Sequence, residues 1–483
     1  MASRLNGLLG EENVRAYLDR VALRAAIAAP RYRLSVPVDA RRALAVGWLC
    51  LGVVALVAAG ILSILLVVSR TPLLQNVFPV ADFFRVALVA HVDLSVLVWF
   101  LAFAGVLWTI NSTTRFVTVG WLAFALAAAG AGAIALAPFL GRGRPVMANY
   151  IPVLRDPVFL WGLLAFAAGV AVLVLRGMAA APRVGVRLDG AGALRFGLNA
   201  SLVSTAMALI AFGWSYAGVP AVLEPSAYYE LLFWGGGHVL QFTWTLLMLV
   251  AWLALAEATG ARVPLSPRVA TLLFGIGLAA AFITPAIYLA FDVASVEHHR
   301  LTTWLMQFGG GLAIPPVAIA VFWGVLRHGR VKEDQRPLRA ALLCSIALFG
   351  IGGAIGFLIH GSNVKIPAHY HGSIVGVTIA LMGLAYLLLP ALGFARPSRR
   401  LATLQPYLYG GGQLLHVIGL LWSGGYGVQR KVAGSEQVLH TTQEILGMGL
   451  MGLGGFIAVL GGVLFVFVVL QALWRSRVER SRA

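Results

Sequence analysis

The chain has 483 residues, of which 60% are apolar and 11% charged, with 55 glycines and a formal net charge of +18. This balance excludes a soluble globule and indicates a polytopic membrane protein. The positive excess would suit nucleic acid, but its distribution along the chain argues against that partner.

Residues 1–41 interleave Arg15 to Arg42 with short apolar stretches and show no signal-peptide cleavage site. They are expected to form a cytoplasmic segment with an amphipathic helix lying on the membrane surface. Apolar runs follow at 43–69, 84–111, 117–140, 157–176, 194–218, 229–257, 268–291, 301–327, 338–360, 369–394, 405–425 and 439–474. Each is long enough for a hydrocarbon core about 30 Å thick. The last is too long for one simple crossing and is expected to extend beyond the bilayer. Backbone polar groups must be satisfied internally in lipid. The expected fold is therefore an all-α bundle of twelve transmembrane helices over 42–474, followed by a basic cytoplasmic tail at 475–483. Gly309-Gly310-Gly311 and Gly410-Gly411-Gly412 would let helices or a flat cofactor approach closely. Cys50 and Cys344 lie in apolar spans without metal-ligand spacing and read as core residues.

With alternate loops on opposite sides, most Lys and Arg fall on the side of the N-terminus. They include Arg183, Arg187, the 327–339 loop, Arg399-Arg400 and the tail from Arg475 to Arg482. The positive-inside rule makes that side cytoplasmic, with both termini inside. A bacterial inner membrane is the expected location.

Six of the ten histidines form a pattern: His91, His238, His298-His299, and His369-Tyr370-His371. Five lie within or beside apolar runs, where an ionisable side chain is costly and marks function. Imidazole is a common nitrogen ligand of haem iron, copper and non-haem iron. Residues two apart on a helix point about 200° apart, so His369 and His371 can serve two cofactors on opposite sides. His328 is expected to be solvated, and His416 and His440 to be structural.

This order of histidines resembles that of haem-copper oxidase subunit I, and the likeness runs over essentially the whole chain. It implies two haems and one non-haem metal, copper or iron. The low-spin haem, expected to be b-type, would be held by His91 and His371, and the high-spin haem by His369. His238, His298 and His299 would bind the metal, the adjacent pair lying at the outer end of the seventh span. His360-Gly361-Ser362 resembles the H-G-T segment of nitric oxide reductases, which implies that His360 is a propionate partner. Gly427-Val428-Gln429-Arg430-Lys431 resembles the family's propionate-contacting turn, with Gln429 in place of its proline. Arg430 and Lys431 are the implied contacts, and Arg70, Arg85, Arg142, Arg144 and Lys365 carry further charge on that side. Ile314-Pro315-Pro316-Val317 resembles the start of the family's proton-channel helix.

Departures from the family pattern bear on the substrate. Common oxygen reductases carry a tyrosine four residues after the sixth-span histidine, and this chain has Phe242. Another type carries it six residues before the histidine pair, here Asp292, with Tyr288 one turn earlier. Ile319 and Leu240 stand where the family has proton-relay residues. Gln241 lies near the position of the carboxylate of well-known nitric oxide reductases and can hydrogen-bond a bound nitrosyl or water. The chain thus resembles a divergent nitric oxide reductase catalytic subunit, with Gln241 and His369 as catalytic residues. A terminal oxygen reductase using Tyr288 is the alternative, and a proton-coupled transporter a more distant one. C-x-x-C-H is absent, so no covalent c-type haem is expected. Electrons would come from a cupredoxin- or cytochrome-type second subunit, or from quinol. Membrane lipid is a partner and nucleic acid is not.

Overall fold

The computed structural model describes residues 32–74, 81–141, 143–182 and 188–482. Residues 1–31 of the 1–41 segment expected to carry a surface helix lie outside them, as do Arg142, Arg183 and Arg187. Hydropathy produces α1 (Ala40–Val68), α2 (Phe83–Ile110), α3 (Val117–Leu140), α4 (Pro157–Ala179), α5 (Gly190–Gly218) and α6 (Pro225–Ala258). The series continues with α7 (Pro267–Ala290), α8 (Val296–His328), α9 (Glu333–Gly356) and α10 (Lys365–Leu388). The polar-rich α11 (Arg399–Gly425) and the long α12 (Thr442–Ser476) complete the bundle. Eleven of these helices are long and apolar enough to cross a membrane, α11 being the exception.

Local chemistry sets the helix starts. The Asp156 carboxylate caps α4, accepting from the amides of Val158 and Phe159, and Pro157 takes the first helical position. Ser295 caps α8 and accepts from the His298 amide at 3.2 Å. The eighth span therefore begins at Val296 rather than 301, and the histidine pair sits in its first turn, not at the end of the seventh span. The tenth span begins at Lys365, which places His369 and His371 in its first two turns. The ninth ends at Gly356, leaving His360 in a loop.

The histidine-bearing α6 and α10 occupy the centre of the bundle. Their most apolar windows are 89% and 78% buried, against 33% for α1 and α8. Two π-helical segments interrupt regular winding, Asp93–Val98 just after His91 and Leu305–Gly310 in α8. Such wide turns are frequent at functional sites. Between α3 and α4 the chain forms a hairpin, β1 (Arg144–Val146) antiparallel to β2 (Val153–Arg155), with Pro145 opposite Leu154. Its tip, residues 147–152, enters the end of the bundle where α2, α6, α8 and α10 begin.

Close approaches rely on missing β-carbons. A Cβ on Gly352 of α9 would stand 2.3 Å from the Ser373 amide nitrogen, and one on Gly372 of α10 would stand 2.4 Å from the Gly352 Cα. Gly412, expected to let helices approach, does so, since its Cβ would lie 2.4 Å from the Ala458 nitrogen on α12. Cys344 is half-buried, whereas Cys50 lies on the exposed face of α1 rather than in the core.

Gly352→Ala should separate α9 from α10, because backbone cannot yield as a side chain tip does. The expected loss is about 1–3 kcal/mol, read as a lower thermal midpoint of the detergent-solubilised protein. An unchanged midpoint would refute this account of the crossing.

Candidate functional site

The two histidines of His369-Tyr370-His371 face different neighbours, as two-residue spacing on a helix requires. His369 directs Nδ1 to the Gly352 carbonyl on α9 at 2.8 Å. The ring of His371 lies 4.4 Å from that of His416 on α11, with Gln413 and His91 nearby. His91 directs Nδ1 to the Ala59 carbonyl of α1 at 2.9 Å, and His416 does likewise to Met451 on α12 at 2.9 Å. That His416 stands beside His371 is not legible along the chain, since the two are on different helices.

A second group gathers around Gly235-Gly236-Gly237 of α6. A Cβ on these residues would overlap Tyr288 of α7, Phe212 of α5 and Tyr150 of the hairpin tip respectively, at 2.1 to 2.3 Å. Three aromatic side chains from three elements thus press on bare backbone, one turn before His238. His238 is buried, with Nδ1 2.7 Å from the Trp234 carbonyl and Nε2 2.8 Å from the Tyr150 hydroxyl. His299 stacks on the Trp234 indole with centroids 3.6 Å apart, and that indole N–H donates to the His299 carbonyl at 3.1 Å. His298 is buried against the Tyr288 ring at 4.5 Å, and its Nε2 has no hydrogen-bond partner. The Tyr288 hydroxyl pairs with Ser215 Oγ at 2.8 Å.

Gln241, one turn along α6, lies near the Tyr150 phenol. Burial raises the pKa of that phenol well above its ordinary value, so it stays protonated. Phe242 is buried beside Gly309 and Gly310, and Leu240 is also buried, whereas Ile319 is 69% exposed on the outside of the bundle. Asp292 is exposed, as are His328, His360 and His440.

Arg430 and Lys431 both reach the hairpin tip. Arg430 donates to Asn149 Oδ1 at 3.1 Å and Ser362 Oγ at 3.2 Å. Lys431 donates to the Met147 carbonyl and to Asn149 Oδ1, the latter at 3.3 Å. Asn149 in turn donates to Glu230 of α6 through its backbone N–H at 2.9 Å and its side-chain amide at 2.5 Å. Burial pushes the Lys431 ammonium down to about 8. Arg85 pairs with Glu436, and Arg70 donates to Gln437 at 3.1 Å and to the Gln429 carbonyl at 3.2 Å.

The fit to haem and metal can be judged from the nitrogens. In His91 and His369 a backbone carbonyl takes the Nδ1 hydrogen, so each ring presents the Nε2 lone pair. Ligating imidazoles are held in this way, and His416 shares the arrangement. His91, His369 and His371 are half-buried within the bundle. The partnerless Nε2 of His298 is a buried acceptor that a metal would satisfy. Among the described residues, however, no three His, Cys, Asp or Glu side chains are arranged around one metal position. The donors suit haem iron and a nitrogen-ligated metal, while the rings of His238, His298 and His299 do not converge.

Residues 43–471 match the model of the cytochrome c and quinol oxidase polypeptide I family. The chain is 30% identical to an uncharacterised protein of Rickettsia prowazekii (strain Madrid E), the match covering 88% of this chain and 95% of that one. It is 27% identical to an uncharacterised protein of Aquifex aeolicus (strain VF5), covering 72% and 85% respectively. A solved heme-copper terminal oxidase dimer shares the fold, with a TM-score of 0.72 at 16% identity over 90% of this chain and 84% of that one.

Asn149→Ala should strip the half-buried Glu230 carboxylate of its side-chain amide donor, leaving the backbone N–H, and should remove the oxygen that accepts from Arg430 and Lys431, at a cost of about 1–3 kcal/mol. The expected result is a lower thermal midpoint and faster proteolysis within the 144–155 hairpin. Wild-type behaviour in both measurements would show that Asn149 does not anchor the tip.

Proposed function

The chain belongs to the cytochrome c and quinol oxidase polypeptide I family, and from that premise we propose that it is the catalytic subunit of a membrane nitric oxide reductase. The reaction is 2 NO + 2 e⁻ + 2 H⁺ to N₂O + H₂O. The observation that carries this reading is Phe242, a benzene ring sealed in apolar packing four residues after His238. Oxygen reduction draws a fourth electron from a phenol commonly found at that position, and two-electron NO reduction has no such need.

When bound, the haems and the non-haem metal supply electron relay and a two-metal reaction centre. His91 and His371 would hold the low-spin haem, whose chemistry would be electron relay. His369 holds the high-spin haem, with its ring oriented by the Gly352 carbonyl. His238, His298 and His299 would supply the metal's nitrogens once their rings turn toward one position. Gln241 orients substrate or water by hydrogen bonding, and Leu240 withholds a proton relay from its side of α6. Arg430, Lys431 and His360 serve the propionate end. A cupredoxin- or cytochrome-type subunit, or quinol, supplies electrons. The protein sits in a bacterial inner membrane with both termini cytoplasmic, on the side where its basic residues concentrate.

Dioxygen reduction is the second reading, and the Tyr150 phenol at 2.8 Å from His238 favours it. Gas measurements on one purified sample separate the two. With a suitable reductant, NO should be converted to N₂O in a 2:1 ratio, and oxygen uptake should be much slower. Rapid oxygen uptake without N₂O formation would reverse the assignment.

Replacing either His91 or His371 with Ala should abolish the bis-histidine low-spin absorbance, because each change removes one of the two imidazoles that would hold this haem. Full retention of that spectrum in both variants would remove these residues from the haem.

A further inference from the structure

An imidazole has two ring nitrogens, and both nitrogens of His238 are engaged, one by the Trp234 carbonyl and one by the Tyr150 hydroxyl. A metal ligated by His238 must take one of them, so one of these contacts gives way and the other goes on orienting the ring. The two contacts are unequal. Trp234 lies four residues before His238 in continuous helix, so its carbonyl already accepts the helical amide bond and loses little if the imidazole turns.

Tyr150 is far more constrained. Its ring fills the notch left by Gly237, where a Cβ would stand 2.3 Å from the Tyr150 Cγ. It is wedged between the Trp234 indole, edge-on at 5.6 Å, and the His238 ring at 4.6 Å. The preceding residue, Asn149, is pinned by Glu230, Arg430 and Lys431.

We propose that Tyr150 is a positioning residue for His238: a phenol delivered by the hairpin between α3 and α4 stays hydrogen-bonded to Nε2 and fixes the orientation and donor strength of this metal ligand. The proposal rests on reading His238 as a ligand and holds for either gaseous substrate.

The test uses the full-length protein, purified with its haems, in Tyr150→Phe, Gly237→Ala and His238→Ala forms. Three quantities are read: non-haem metal affinity by competition with a chelator, the infrared band of carbon monoxide bound to the reduced protein, and the low-spin haem absorbance. Tyr150→Phe keeps the ring in its notch and removes only the hydroxyl. It should leave the low-spin absorbance intact, weaken metal affinity by about 10–100-fold, and shift the carbon monoxide band. Gly237→Ala pushes the ring away and should change metal affinity and the infrared band in the same direction. Wild-type metal affinity and infrared band in Tyr150→Phe, with metal lost from His238→Ala, would overturn the proposal and leave His238 as a ligand. Wild-type metal content in His238→Ala would instead overturn the ligand reading beneath it. Loss of the low-spin absorbance in both Tyr150→Phe and Gly237→Ala would assign the contact to folding and also defeat the proposal.

Discussion

The ligand end of this bundle depends on one steric fact, the absence of three successive β-carbons on α6. Gly235, Gly236 and Gly237 admit Tyr288, Phe212 and Tyr150 to distances that no side chain at those positions would allow. Successive helical residues point about 100° apart, so the three rings arrive from three directions and enclose the helix. His238 follows at once and inherits the enclosure. Glycine is costly inside a helix, by about 1 kcal/mol relative to alanine, and three in a row are tolerated because neighbouring helices supply the order that intrinsic propensity does not.

The hairpin and the loop after α11 close over this arrangement by a different kind of force. Asn149 accepts from two cations and donates to one carboxylate, so charge of both signs meets on a neutral amide. Lys431 sits in the left-handed backbone region at φ +63°, an uncommon conformation for a residue with a long side chain. Its hydrogen bonds to the hairpin hold that turn in place. The Val364 amide donates to the Val428 carbonyl at 3.0 Å, and the Gly434 amide to the Ser69 carbonyl at 2.9 Å, tying the same loop to the start of α10 and the end of α1.

Much of this architecture is legible in the sequence because membrane helices announce themselves locally. Hydropathy locates the spans, and the spacing of His369 and His371 implies opposite faces without any knowledge of neighbours. Caps correct the boundaries: Ser295 shifts the start of α8 and brings His298 and His299 into a helix. Contacts between distant segments are not legible in this way. Tyr150 lies in a short loop with no apolar periodicity, 88 residues from the histidine it touches. On α6 the position where the family pattern places a phenol is Phe242, on α7 the nearest phenol is Tyr288, and nothing in that pattern points to Tyr150. The neighbourhood of His416 and His371 likewise arises only when α10 packs on α11. The glycine run shows that something comes close, and only the fold shows what.

α11 has a consequence for biogenesis. It spans Arg399–Gly425 with Gln405, Gln413 and His416 along it, and it falls outside the set of helices apolar enough to cross a membrane on hydropathy alone. Polar side chains make independent partitioning from the translocon unfavourable. α12 is strongly apolar and meets α11 at Gly412 and Gly454, while the Met451 carbonyl accepts the His416 imidazole and the Gly461 carbonyl accepts the Gln405 amide at 3.3 Å. The last two helices therefore have reason to enter lipid as a paired unit, with α11 waiting at the translocon until its successor is synthesised.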